Sequence, residues 1–203
     1  MYHQLQAWQG TKELRPWKEL VYEGDCYATK QVGDWLNKNI KKPRHHKQQQ
    51  LYIYGPPNTH KSTLLNQLSR YLRTYDIPVE DFYDMYPTPE PELIVMDEFK
   101  GQKTIQFLNQ FVEGVNMTLR VKGGQKMKRT NPPVIICSNA SLDSIYHKKA
   151  ESNSVYLAAL RTRFLEVCLG TEDIPIKLDV AAIFAQDVAS SLPLSVDSDT
   201  AIL

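Results

Sequence analysis

At roughly 150 residues per domain, the 203-residue chain fits one full domain with a remainder and excludes a two-enzyme polypeptide. Hydrophobic residues at 42%, charged residues at 23%, and only 9 Gly and 12 Pro exclude collagen, a coiled coil and disorder throughout. Lys+Arg 24 against Asp+Glu 23 gives a net charge of +1, which by itself predicts no attraction to a polyanion.

The charges are segregated, however. Trp35 to Tyr75 holds eight basic residues and no acid; Asp76 to Glu98 holds eight acids and no base; Gly114 to Pro133 is again purely basic, with Arg120, Lys122, Lys126, Lys128 and Arg129. Such blocks are usually solvated faces and support a polyanion partner only weakly. The cysteines Cys26, Cys137 and Cys168 show no CxxC spacing, so neither a disulfide framework nor a thiolate metal site is expected, and a reducing, intracellular compartment fits. Apolar runs reach about five residues, far short of the roughly 18 of a membrane span. MYHQLQAWQGTKEL has no apolar core of a signal peptide, so no membrane partner is expected.

In chain order, the aromatics up to Tyr22 show no periodicity. Asp25 to Ile40 places Tyr27, Val32, Trp35, Leu36 and Ile40 near helical spacing and predicts an amphipathic helix, followed by a polar, basic linker from Lys41 to Gln50. Leu51-Tyr-Ile-Tyr54 reads as a strand, Gly55-Pro-Pro57 as a loop, and Leu64, Leu65, Leu68, Tyr71 and Leu72 as the apolar face of a helix from Lys61. Asp81 to Glu92, with Pro87, Pro89 and Pro91, predicts an irregular connection. Leu93–Met96 is a second buried strand, Thr104–Val115 a helix, and Met117–Val121 with Gly123-Gly124 a β-hairpin. Val134–Cys137 is a third buried strand; a helix from Ser154 leads into a strand over Phe164–Leu169. Short apolar strands alternating with helices predict an α/β fold with a mostly parallel sheet covered on both faces. The elements from 46 to 189 are taken as the main domain and the Ser/Asp-rich 190–203 as a loose tail.

The chemistry collects at strand ends. Gly55-Pro56-Pro57-Asn58-Thr59-His60-Lys61-Ser62-Thr63 lies between a strand and a helix, where backbone N–H groups can wrap a β-phosphate, Lys61 can reach the β and γ oxygens, and the Ser62 hydroxyl can ligate Mg²⁺. The pattern GxxxxGK[ST] is met except at its second glycine, where His60 stands. Leu93-Ile-Val-Met-Asp97-Glu98 is an apolar strand ending in two carboxylates; Asp97 would hold the metal through water, and Glu98 would act as general base. Asn139, after Val134-Ile-Ile-Cys-Ser138, can place its amide between a γ-phosphate and the attacking water, although for an Asn considered alone a turn role is the better reading. Arg161 and Arg163 precede the last strand, where an arginine can stabilise transition-state charge across a subunit boundary.

Together these residues resemble the superfamily 3 helicases of small DNA viruses, and within them the AAA+ helicase domain of Rep replication initiators from circular single-stranded DNA viruses and related plasmids. GPPNTHKST looks like their Walker A, LIVMDEF their Walker B and VIICSN their motif C, and Leu119-Arg-Val-Lys-Gly-Gly-Gln-Lys-Met-Lys128 ahead of Asn131-Pro-Pro-Val134 resembles their B′ hairpin. The resemblance covers roughly Tyr52 to Val167. It implies a P-loop NTPase that uses ATP and Mg²⁺ and forms a homo-oligomeric ring, a hexamer, around single-stranded DNA. Lys122, Lys126 and Lys128 would grip the strand, and Arg163 would complete the neighbour's site, as in the papillomavirus replicative helicases that share the GPPNT opening. It also implies a helical oligomerisation role for residues 1–45 and the nucleus as compartment if the host is eukaryotic. The His-hydrophobic-His motif of the relatives' endonuclease is absent, and Tyr27-Ala-Thr-Lys30 lies within a predicted helix, so a nuclease partner is expected on a separate domain or chain. An RNA helicase or RNA-binding ATPase, and a non-catalytic ATP-binding assembly module, remain alternatives.

Overall fold

A strand buried along nearly its whole length must be covered on both faces, and the segment Gln50–Tyr54 is such a strand. The computed structural model describes residues 27–147 and 150–169. In chain order the elements are α1 (Tyr27–Asn39), β1 (Gln50–Tyr54), α2 (Lys61–Ser69), β2 (Thr74–Asp76), β3 (Leu93–Phe99), α3 (Ile105–Phe111), β4 (Met117–Val121), β5 (Gly124–Lys128), β6 (Val134–Ser138), α4 (Leu142–Tyr146), α5 (Ala150–Arg163) and β7 (Phe164–Cys168). Five strands form one sheet in the order β2-β3-β6-β1-β7, and every pairing in it is parallel. The separate β4–β5 pair is antiparallel.

Alternation along the central strands sorts the core into two layers. Leu51 and Ile53 face Val32 and Leu36 from α1 and Ile40 just after it, with Leu64 and Leu68 from α2. Tyr52 faces the other way, toward Phe99, Ile136, Phe111, Leu160 and Phe164. The mostly parallel, doubly covered α/β architecture expected from the sequence is therefore observed, with every pairing of the five-stranded sheet parallel. None of the described helices is long and apolar enough to cross a membrane.

Several boundaries moved. The helix expected to run to Val115 ends at Phe111, because Gly114 turns the chain at φ +86° and a Cβ there would lie 2.6 Å from the Asn131 side chain. Strand β2 and helix α4, three and five residues long, carry too little periodicity to be seen in advance. The boundary drawn at residue 45 does not separate α1 from the main domain: its Ala28, Val32, Trp35 and Leu36 belong to the sheet's own core, so that apolar face is already covered within the chain. Tyr27, expected on the same face, is exposed. Cys26, residues 1–26 and the 190–203 tail lie outside the described residues.

The hairpin forms where predicted, with Lys122-Gly123 as its turn and Gly123 at φ +77°, a left-handed conformation glycine adopts without penalty. Two of its lysines depart from expectation. Period-two alternation puts Lys126 and Lys128 on the face shared with Leu119 and Met117, which packs inward. Lys126 donates from Nζ to the carbonyls of Asp84 (2.6 Å) and Tyr86 (2.9 Å). Lys128 is fully buried; its Nζ donates to the Thr130 carbonyl at 2.9 Å and lies 5.5 Å from the Phe111 ring centre. Lys128 is thus a buried brace at the hairpin's base in this conformation, not a surface grip, while Lys122 is exposed at the turn.

Burial pushes the Lys128 ammonium down to about 8. Below that pH the group is charged in both folded and unfolded chains and its desolvation cost is fully present. Between about 8 and the ordinary value of 10.5 the unfolded chain keeps a proton that the folded one has released, so stability climbs with pH. Wild type should therefore gain stability relative to Lys128→Met across that window, measured by urea unfolding; parallel pH profiles would contradict it.

Candidate nucleotide-binding and hydrolysis site

The chain leaves β1 at Tyr54 and enters α2 at Lys61, and the connection is shaped by close approaches. Gly55 has φ +151°, and a Cβ there would stand 2.3 Å from the Leu169 carbonyl oxygen, so only glycine fits. Leu169 donates its N–H to the Tyr54 carbonyl at 2.7 Å, which fixes the end of β7 against this loop. Asn58 and His60 are left-handed, at φ +67° and +62°. The position filled by glycine in the common pattern is therefore a left-handed one, and His60 occupies it at a cost of roughly 1–2 kcal/mol. The imidazole is exposed and makes no capping hydrogen bond to α2.

Lys61 is 8% exposed, and its ammonium lies inside the loop. Nζ donates to the carbonyls of Gly55 (2.9 Å) and Pro56 (2.7 Å) and to Thr59 Oγ1 (3.1 Å). Burial lowers its pKa, and the negative charge of Asp97 works in the opposite direction. The loop thus holds a cation at its centre on oxygens that a phosphate can replace.

Strand β3 delivers two carboxylates where regular alternation would deliver one. Its register with β6 runs Met96↔Ile136 and then Phe99↔Ser138, a bulge of one extra residue. Glu98 takes φ +48°, and both Asp97 and Glu98 emerge exposed before Phe99 returns to the core. Asp97 Oδ1 accepts the Glu98 N–H at 2.9 Å, and Glu98 Oε2 pairs with Lys100 Nζ at 3.2 Å. A non-glycine residue held at such a φ is the kind of local strain that concentrates at functional sites. On the neighbouring strand, Ser138 Oγ donates to the Phe99 carbonyl (2.7 Å) and accepts the Ala140 N–H (3.1 Å), which sets the turn that carries Asn139.

One cavity of about 370 Å³ is lined by Pro57 through Thr63, Asp97, Glu98, Ser138 and Asn139. Because β6 lies between β3 and β1, Asn139 stands between the carboxylates and the loop. Gly55 and Pro56 form the base of that loop rather than the cavity lining. Among the described residues no cluster of three or more His, Cys, Asp or Glu could hold a metal ion by itself. Ser62 and Asp97, both on the cavity, suit an ion that takes most of its ligands from phosphate and water, as Mg²⁺ does.

Arg163 is elsewhere. It is the last residue of α5, and Phe164 pairs with Gln50 at the start of β1, about 13 Å of strand from the loop end of the sheet. Its NH2 donates to Glu113 Oε1 at 3.0 Å, and its Nε and NH1 are buried with no acceptor. Glu113 also attracts His46 and Lys47. Arg161 is about half exposed and pairs with Asp143 through Nε at 2.7 Å. Asp76, at the end of β2, was not foreseen: burial and then the charge of Asp97 raise its pKa, marking it as electrostatic company for the site. Its strand is too short to be recognised from sequence.

A parallel sheet whose innermost strand opens through this loop into a helix beginning Lys-Ser, with an Asp-Glu pair on β3, defines a P-loop NTPase fold. A profile of the RNA helicase family matches residues 51–140, so the span from β1 through Asn139 is similar to that family. Similar solved structures include a protein described as a primosome component from Streptococcus pyogenes serotype M3 (14% identity, 74% of this chain, 83% of that chain, TM-score 0.46). Others are the JCV helicase (16% identity, 62% and 36%, TM-score 0.41) and DnaI (11% identity, 73% and 87%, TM-score 0.43). No curated protein sequence matches the chain.

Replacing His60 by glycine should relieve the left-handed strain and stabilise the fold by about 1 kcal/mol, read as a higher denaturant midpoint at unchanged slope. A lower midpoint would mean that the imidazole makes a contact worth more than the strain.

Proposed function

We propose that this chain is the ATP-driven motor of a superfamily 3 helicase, working as a homo-oligomeric ring of AAA+ subunits, by resemblance a hexamer, that draws single-stranded DNA through its centre. The observation that carries the reading is the shared cavity, in which the phosphate-binding loop, two carboxylates and an amide meet from three adjacent strands.

In this reading the loop's N–H groups and Lys61 bind the β- and γ-phosphates, Lys61 leaving its carbonyl partners for the nucleotide. Ser62 and Asp97 would hold Mg²⁺, whose charge offsets that of the phosphate oxygens. Glu98 accepts the proton of the water that attacks the γ-phosphorus as the bond to ADP breaks, and Asn139 orients that water. The distance of Arg163 from its own loop supports a role toward a neighbouring subunit's γ-phosphate, which requires it to leave Glu113. Lys122, exposed at the hairpin turn, would contact the strand backbone, a sequence-independent contact weakened by salt. Rep-type replication initiation, with a nuclease supplied by a separate domain or chain, is the setting suggested by the LRVKGG hairpin.

A second reading, an RNA-directed motor, is favoured by the match to the RNA helicase family profile. Comparing ATPase stimulation by single-stranded DNA and by RNA of the same sequence separates the two.

Lys61→Ala and Glu98→Gln should each lower ATP turnover by at least about 100-fold, measured by phosphate release; rates equal to wild type would overturn the assignment. Nucleotide-dependent assembly without phosphate release would instead identify an ATP-binding assembly module. Lys122→Ala should abolish strand separation while basal ATPase stays within about twofold, and undiminished unwinding would remove Lys122 from the strand-gripping role.

A further inference from the structure

Lys103 is 1% exposed, yet it carries a charge that none of the residues of the nucleotide site uses. Its three ammonium protons match three acceptors: the Val79 carbonyl at 3.1 Å, the Glu80 carbonyl at 2.9 Å and Asp81 Oδ1 at 2.9 Å. The rings of Tyr83 and Phe107 close over it, 5.2 and 5.4 Å from Nζ. Its own carbonyl accepts the Tyr146 hydroxyl at 2.6 Å. A buried ammonium is tolerated only when so fully satisfied, so residues 79–81 are bound to the start of α3.

The same 79–86 segment also seats the hairpin. Asp84 Oδ1 accepts the Lys122 N–H (2.8 Å), the Asp84 and Tyr86 carbonyls accept Lys126 Nζ, and the Tyr83 N–H donates to the Arg120 carbonyl (2.8 Å). The neighbouring Gln102 closes a short segment that begins at Glu98, donating from Nε2 to the Glu98 carbonyl at 3.0 Å.

We propose that Lys103 is a positioning residue for nucleic-acid engagement: by clamping residues 79–81 it fixes the seat on which the β4–β5 hairpin presents Lys122 to a single strand. The functional half rests on the strand-gripping reading of the hairpin; the structural half does not. Amide hydrogen exchange on the full chain tests the seat. Lys103→Met should speed exchange at least about tenfold in residues 79–86 and 117–128 while β1 and β6 keep their protection. Affinity for a fluorescent oligo-dT strand should fall about tenfold with basal ATPase within about twofold, and Lys103→Arg should recover most of it. Should Lys103→Met lose protection everywhere, Asp81→Asn, which removes only an exposed partner carboxylate, should loosen the same two segments to a smaller degree. Hairpin exchange unchanged in both variants, or loosened with strand affinity unaltered, would overturn the proposal. If wild type binds neither oligo-dT nor an RNA strand, the strand-gripping reading fails, and the exchange result still decides whether Lys103 seats the hairpin.

Discussion

Parallel pairing is the constraint from which the site follows. All five sheet strands run the same way, so every strand's C-terminal end reaches one edge, and the residue types that act on phosphate have only to occupy those ends. The loop after β1, the carboxylates of β3 and Asn139 after β6 are distant in sequence, yet the ladder makes them neighbours. The same geometry excludes Arg163, which precedes its strand and so stands at the opposite edge. An arginine in that position cannot serve its own subunit's loop without crossing the sheet.

Around the cavity the backbone departs from ordinary conformations at Gly55, Asn58, His60 and Glu98. Each departure has a local function. Gly55 lets Leu169, just after β7, approach within contact distance, the two left-handed loop residues curl the main chain back on itself, and Glu98 opens the bulge that turns both carboxylates outward. Holding such conformations requires rigid surroundings. These are supplied by the fully buried β6 and by the Ser138 hydroxyl, which ties the end of β3 to the end of β6.

The architecture and the grouping of the candidate site's residues were legible because they depend on patterns that survive in one dimension. Apolar runs bounded by turn residues marked the three central strands, and each polar motif sat at the end of one. What was not legible depended on packing or on elements too short to repeat. Asp76 ends a three-residue strand, and α1 looked like an appendage because a helix's partner surface is invisible in its own sequence. His60 stood out only as a mismatch to the motif's second glycine, and the left-handed backbone angle that the position requires is not written in the sequence. Lys126 and Lys128 were grouped with Lys122 by charge, although alternation along β5 already placed them on the inner face.

That grouping bears on the near-zero net charge. The basic and acidic blocks do more than present opposite faces to solvent, because part of each is consumed inside the fold. Lys126 gives its ammonium to carbonyls within the acidic segment, and Asp84 accepts a hairpin N–H. Glu90 accepts the Thr130 hydroxyl and the N–H groups of Arg129 and Thr130, and although burial pushes its pKa up, these hydrogen bonds bring it below the ordinary carboxylate value. The acidic connection is therefore the hairpin's internal counterpart, and its negative residues orient the basic element as well as neutralise it. Arg120, Lys122 and Arg129 remain exposed. A count of lysines would overstate the charge available to a polyanion, and the position of the turn, more than the density of the block, determines which cation a strand would meet first.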